Sequence, residues 1–237
     1  MKIFKYESIT PNTKKNLQES QIYFNAPINY NDPYEGVFKF HISNDFLKKK
    51  LIKNLSGLVY DKKVFSNLSI GEVIEEIRIE YVNQYLNDVR VACFSKRKDS
   101  MLMWSHYSNE HKGICLEFES ENILFKIGDD VKYSKKIPIL YISNSNDLEE
   151  DSLMHAYSKI VHTKEMDWQY EKEYRLFGNN SDNIKKYNPN DLKAIYFGLR
   201  CEKEEIEKII FSVPNPNVNF FKCELELDEY KFRFLPL

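Results

Sequence analysis

With 237 residues, the chain is long enough to bury the core of one elaborated domain or of two small ones. Hydrophobic residues at 42% and charged residues at 30% fit a soluble globular protein, and no internal repeat or low-complexity linker interrupts the sequence. A net charge of −2 gives no global attraction to nucleic acid or to an anionic membrane, which leaves a local basic groove as the remaining route to nucleic acid.

Aromatic residues are abundant, 16 Phe and 16 Tyr against only 7 Gly, and both favour strands. The expected class is therefore α+β: a single domain over residues 1–237 with a mixed or antiparallel sheet, split or continuous, and flanking helices. Cys93, Cys115, Cys201 and Cys223 form no C-x-x-C pair and sit in apolar runs, as buried reduced thiols do. The start, MKIFKYESITPN, lacks the apolar stretch of a signal peptide, and no run approaches a membrane span. The expected location is cytoplasmic.

In chain order, KIFKYES reads as a strand, TPNTKKNLQES as a helix with Pro11 in its first turn, and QIYFNAP as a second strand. INYNDPYEG is rich in turn formers and ends at Gly36. A mainly helical insertion is expected at about 43–88. LKKKLIKNLSGLVYDKK reads there as a helix and loop, and Val73, Ile74, Ile77, Tyr81 and Tyr85 recur near 3.6-residue spacing. VRVACFS and KGICLEFES read as strands on either side of the loop KRKDS and a short helix, MLMWSHYS. VKYSKKIPILYIS suggests one or two strands, and a helix is expected over Glu150–Val161. LKAIYFG reads as a strand and CEKEEIEKIIFS as a helix, while FFKCELELDEYKFRFL reads as a hairpin turning near Asp228 and Glu229.

The stretch most suggestive of chemistry is DWQYEKEYRLFG, from Asp167 to Gly178. Read as one strand, Trp168–Phe177 puts Glu171, Glu173 and Arg175 on one face and Tyr170, Tyr174 and Leu176 on the other. The charged face then either meets water, as half-buried antiparallel strands commonly do, or lines a cleft in which Arg175 holds a Glu-x-Glu pair. Such pairing divides roles by shifting two carboxyl pKa values apart. Trp104, His106, Tyr107 and His111 fall within eight positions, candidates to stack on a flat ring or orient a ligand, with core packing as the alternative. His106 and His111 are five apart, a poor spacing for two ligands on one helical face, and no metal site is expected. Asp32 and Glu35 flank an Asn-Asp-Pro turn, where a capping carboxylate is the structural reading. Walker-type, G-x-G-x-x-G and G-x-S-x-G motifs are all absent. A nuclease-like Glu-x-Lys at Glu110–Lys112 precedes its strand instead of lying on it.

FKYES, QIYFNAPINYNDPYEG, ACFS, MLMWSHYSNEHKGICLEFE and TKEMDWQYEKEYRLF with IYFG, in that order, resemble a family of mostly bacterial proteins, the domain-of-unknown-function family numbered 2971. The resemblance selects Asn31, Asp32, Pro33, Glu35, Trp104, His106, Tyr107, Gly113, Trp168, Glu171, Glu173 and Arg175 as more than solvated surface. It implies no established reaction.

In layout the chain is also similar to ADP-ribosyltransferases, split-sheet proteins that bind NAD without a Rossmann motif. Tyr6 with Ser8 would take the place of their early strand, Ser95 that of their middle hydroxyl strand, and Glu171-x-Glu173 that of their catalytic Glu-x-Glu. The chain has neither a Ser-Thr-Ser triplet nor an early His or Arg.

This likeness implies an NAD-consuming transferase or glycohydrolase, an effector in conflict with phage, acting on a macromolecular acceptor, protein or nucleic acid. NAD would be its substrate, with Glu173 facing the ribose, Glu171 positioning the acceptor and Arg175 fixing the pair. Tyr107 or Trp104 would stack on nicotinamide, with His106 at ribose or phosphate. Two other readings stay open: a nucleic-acid-directed enzyme or binder using Lys96, Arg97 and Lys98, and a non-catalytic ligand sensor.

Overall fold

The computed structural model describes residues 1–43, 49–50, 69, 71–72, 74–76, 78–79, 86–87, 89–119, 123–126, 128–148, 150–178 and 183–237. In chain order the first elements are β1 (Lys2–Glu7), α1 (Pro11–Gln18), β2 (Gln21–Tyr23), β3 (Lys39–Ile42), β4 (Arg90–Ser95), α2 (Met101–Tyr107) and β5 (Ile114–Glu119). Next come α3 (Ile123–Lys126), β6 (Asp129–Asp130), β7 (Lys132–Ser134), β8 (Ile139–Ile142), α4 (Glu150–Val161) and β9 (Thr163–Glu165). A 3-10 helix, Met166–Glu171, leads into β10 (Glu173–Gly178), followed by β11 (Ile184–Lys186), β12 (Leu192–Phe197), α5 (Lys203–Ser212), β13 (Asn219–Leu225) and β14 (Phe232–Pro236).

Most of these elements stand where periodicity and turn chemistry put them. Thr10 caps α1, its Oγ1 accepting from Thr13 N at 3.1 Å, with Pro11 in the first turn. Ser100 caps α2 in the same way, accepting from Met103 N. VKYSKKIPILYIS resolves into two strands, β7 and β8. In the insertion, described residues between 71 and 87 are helical, and Ile74 is half-buried. Val73, Ile77, Tyr81 and Tyr85, and most of LKKKLIKNLSGLVYDKK, lie outside the described residues.

One expectation is corrected. Trp168–Phe177 is not a single strand: residues to Glu171 are in the 3-10 helix, and Lys172 takes a left-handed φ of +46° before β10 begins at Glu173. That φ breaks the two-residue alternation that the sequence pattern suggests.

The fold is mixed α+β, and the chain divides into two compact units. The first comprises residues 1–25, 90–131 and 167–237. It holds an eight-stranded sheet in the order β14-β13-β12-β5-β1-β4-β10-β6. Among its described pairings only β12–β13 is parallel. One side of the sheet carries Ile3, Phe94, Leu116, Phe118, Leu176 and Ile195 into an apolar core with Leu17 of α1 and Ile209 of α5. The other carries Phe4, Tyr6, Cys115 and Tyr196 against Met103 and Trp104 of α2. The second unit comprises residues 26–89 and 132–166, with parallel pairs β3–β8 and β7–β9 beside α4. No described helix is long and apolar enough to cross a membrane.

Candidate functional site

Strand order brings the candidate positions of the first unit together. β1, β4 and β10 are consecutive neighbours, and Phe4, Ser95 and Glu173 lie in one transverse row. Side chains directly opposite across a ladder share a face, so Ser95 and Glu173 point to the α2 side, as does Arg175 two residues on. The charges do not meet water. Glu171 is 2% exposed, Glu173 5% and Arg175 0%.

The three residues do not share one strand. Arg175 grips Glu173 with two bonds, Nε to Oε1 at 2.9 Å and Nη2 to Oε2 at 3.1 Å. A bidentate grip of this kind satisfies both carboxylate oxygens and lets the pair stay ionised away from water. Glu171, at the end of the 3-10 helix, turns to another partner: Tyr107 Oη donates to its Oε1 at 2.6 Å.

Backbone contacts hold the junction in place. Ser95 Oγ donates to the Glu171 carbonyl at 2.6 Å and accepts from Arg97 N at 3.1 Å, while Lys96 N donates to Lys172 O at 2.9 Å. Above this floor, the exposed His106 shares a 3.0 Å hydrogen bond with Tyr170 Oη. Tyr170 and Trp168 lie ring to ring at 6.2 Å, both half-buried. The result is a floor of paired carboxylates under a rim of Tyr107, His106, Trp168 and Tyr170. Chemically, such a rim offers flat rings to a ligand, and the floor offers carboxyl oxygens in a dry setting.

Other sequence candidates fall elsewhere. Trp104 is fully buried and its Nε1 donates to Lys98 O at 2.8 Å, so it is a core residue closed to a stacking ligand. Tyr6 packs edge-on against it at 5.3 Å and donates to Arg97 O at 3.0 Å; burial pushes its hydroxyl pKa far up. Ser8 lies beyond β1, its carbonyl accepting from Thr13 Oγ1. His111 closes a left-handed turn, Asn109 to His111, with φ of +46°, +52° and +69°. Its Nδ1 is buried without a hydrogen-bond partner, and burial with the nearby Arg200 charge lowers its pKa. Gly113 follows because a Cβ there would sit 2.2 Å from Glu7 O. Asn31, Asp32 and Glu35 belong to the second unit. There Asp32 Oδ1 accepts from Tyr34 N at 2.8 Å, the turn chemistry its sequence suggests.

A second buried polar group escaped sequence reasoning. Glu117 is buried in the middle of ICLEFE, receives a hydrogen bond from Tyr196 Oη, and pairs with Lys2 Nζ at 2.9 Å. Lys98 Nζ donates to Tyr196 Oη at 3.1 Å and lies 4.5 Å from the centre of that ring. Burial pushes the Glu117 carboxyl up, but Tyr196, Lys2 and Lys98 together outweigh it and hold the pKa below the ordinary value. The signal was a carboxylate between two apolar residues in mid-strand, Leu116 and Phe118. Lys98 is thus occupied, and the other two cations of the KRK loop are too: Lys96 pairs with Asp130 and Arg97 with Asp99.

Residues 103–176 match the family described as a protein of unknown function (DUF2971), a span that runs from α2 to the Glu173–Arg175 pair. No curated protein and no solved structure matches the chain.

Proposed function

We propose that the chain consumes NAD, as an ADP-ribosyltransferase or NAD glycohydrolase, at the floor and rim formed by Glu171, Tyr107, Trp168, His106 and Tyr170. The observation that carries this reading is the adjacency of β1, β4 and β10, with Ser95 in register with Glu173 and the Glu171 carboxylate one turn away. That adjacency brings together the strands to which the ADP-ribosyltransferase resemblance assigns its early, middle and late positions. The engagement of Lys96, Arg97 and Lys98 by Asp130, Asp99 and Tyr196 favours it over nucleic-acid binding by that loop.

Roles follow from the partners that orient each carboxylate. Both Glu173 oxygens are held by Arg175, so the pair braces the start of β10. The ribose-facing role passes to Glu171, whose Oε1 is oriented by the Tyr107 hydroxyl. In the reaction the nicotinamide–ribose bond breaks, its electron pair leaves with the nicotinamide nitrogen, and positive charge builds on the ribose. A fixed carboxylate stabilises that charge more strongly in a dry site than in water. Water or a macromolecular acceptor then bonds to the ribose carbon and gives up its proton. Half-buried Trp168 and Tyr107 offer faces for the nicotinamide, and His106 stands at the rim for ribose or phosphate.

A non-catalytic ligand sensor draws on one observation: Glu171 and Glu173 are both almost wholly buried and bonded, as structural carboxylates are. Free nicotinamide, followed by chromatography after incubation with NAD, separates the readings. Wild type should release it, and Glu171→Gln should be slower by about 10²–10³-fold with an unchanged melting temperature. Tyr107→Phe should lose about tenfold or more. Absence of both nicotinamide release and calorimetric NAD binding in the wild type would end the NAD reading; binding without release would favour the sensor or a transferase awaiting its acceptor.

A further inference from the structure

The NDPYEG turn belongs to the second unit and takes no part in the reading above. Its backbone is tightly specified. Asp32 Oδ1 accepts from Tyr34 N at 2.8 Å, Val37 N donates to Tyr34 O at 3.0 Å, and Gly36 takes a φ of +71°. The turn sends Asp32 and Glu35 inward, where both are buried, and leaves Tyr34 58% exposed.

Tyr34 lines a cavity of about 290 Å³. The lining also takes in the segment Ser134–Pro138 that leads from β7 to β8, and Thr163, Lys164 and Glu165 of β9. Ser134 Oγ accepts from Lys136 N at 3.0 Å and donates to Lys136 O at 2.9 Å, which closes the segment into a compact turn. Lys39 N, donating to Pro138 O at 2.9 Å, ties the far end of that segment to β3. The side chains of Lys135 and Lys136 are exposed, and among the described residues neither makes an ion pair. Lys135, Lys136 and Lys164 against the one carboxylate of Glu165 leave this lining net positive, and a net positive lining attracts an anion.

We propose that this cavity binds a small phosphomonoester bearing a planar ring, of nucleoside-monophosphate size, with its phosphate at Lys135 and Lys136 and its ring against Tyr34. Size sets the class, since the volume lies at the lower end of ligand pockets, which run to roughly 300–1,000 Å³. Charge sets the anion, because lysine serves phosphate as a point charge. The exposed tyrosine supplies a stacking face that is indifferent to which base or ring it meets. This site uses none of the residues of the proposed NAD chemistry and stands or falls separately from it.

The test is calorimetric titration of the full chain with AMP, adenosine and inorganic phosphate in parallel, at low and at physiological salt. AMP should bind saturably, with adenosine and phosphate each at least tenfold weaker and the AMP affinity falling with salt. The double variant Lys135→Gln/Lys136→Gln should weaken AMP by tenfold or more and flatten its salt dependence. Tyr34→Ala should weaken it about fivefold or more, with Tyr34→Phe close to wild type. These side chains are exposed, so the substitutions leave the fold intact. Any of three results overturns the proposal: no saturable AMP binding, an affinity unchanged in these variants, or binding abolished by Glu171→Gln while they retain it. Phosphate binding as tightly as AMP would overturn the role of Tyr34, and adenosine doing so would overturn that of the lysines.

Discussion

On one side of the eight-stranded sheet, Ile3, Phe94, Phe118 and Leu176 meet Leu17 and Ile209 through apolar contact. On the other, the same strands bury Ser95, Glu117, Glu173 and Arg175 beside Trp104. Apolar burial is non-directional and scales with area, so the first side is satisfied by volume and fit. The second is satisfied group by group: Arg175 for Glu173, and Tyr196 and Lys2 for Glu117. A side built from named pairs fails when one partner is removed, and it responds to pH as the apolar side does not.

The largest effect should come from breaking the tightest pair. Arg175→Met removes the bidentate guanidinium from the buried Glu173 carboxylate and should lose about 3–5 kcal/mol in urea denaturation. Adding Glu173→Gln to that variant should recover part of the loss, because the stranded charge is gone. Leu176→Ala, the neighbouring deletion on the apolar side, should lose about 2–5 kcal/mol, by the same amount at acidic and neutral pH. A loss for Arg175→Met no greater than that of an ordinary surface change would show the pair to be unimportant.

A smaller effect sharpens the pH contrast. Tyr196→Phe removes a hydrogen bond to a charged group and should lose about 1.5–3 kcal/mol near neutral pH. The Glu117 carboxyl is held below its ordinary pKa, so its contribution is complete above the unfolded value and disappears as pH falls through the folded one. The stability gap between wild type and Glu117→Gln should therefore narrow as pH drops from about 7 to about 3. A gap that widens on acidification would reverse the assigned sign.

The smallest expected change is a gain. The turn after α2 holds Asn109 at a φ of +46°, where glycine is at ease. Asn109→Gly should raise stability by at most about 1 kcal/mol, since asparagine already tolerates this region better than most residues. A thermal melt that moves downward would show that the Asn109 side chain has a role beyond the backbone.

The proposed site was legible in part. Tyr107, His106, Trp168 and Glu171 were singled out from the sequence, and the structure gathers them within the first unit. The expectation of three charges on one strand face failed at Lys172, whose positive φ sits between a local bond from its own N to Gln169 O and a tertiary bond from Lys96 N to its carbonyl. Trp104, equally prominent in the sequence, became core because α2 turns that face toward Tyr6 and the sheet. Glu117 was passed over because strand alternation says which face a residue takes, not which groups await it there.

By itself, the sequence determined the local elements: the first turn of α1 at Pro11, the strands β1, β4, β5 and β12, the helix α4, and the Asp32 turn. These depend on short-range rules, periodicity and side-chain-to-backbone bonds a few residues long, and such rules are visible in a string of letters. Only the tertiary structure decided that β4 and β10 lie side by side, that Arg175 closes on Glu173, and that Tyr107 reaches Glu171 across 64 positions. Those choices rest on strand order and on the high cost of leaving a buried charge unpaired, and neither leaves a period in the sequence.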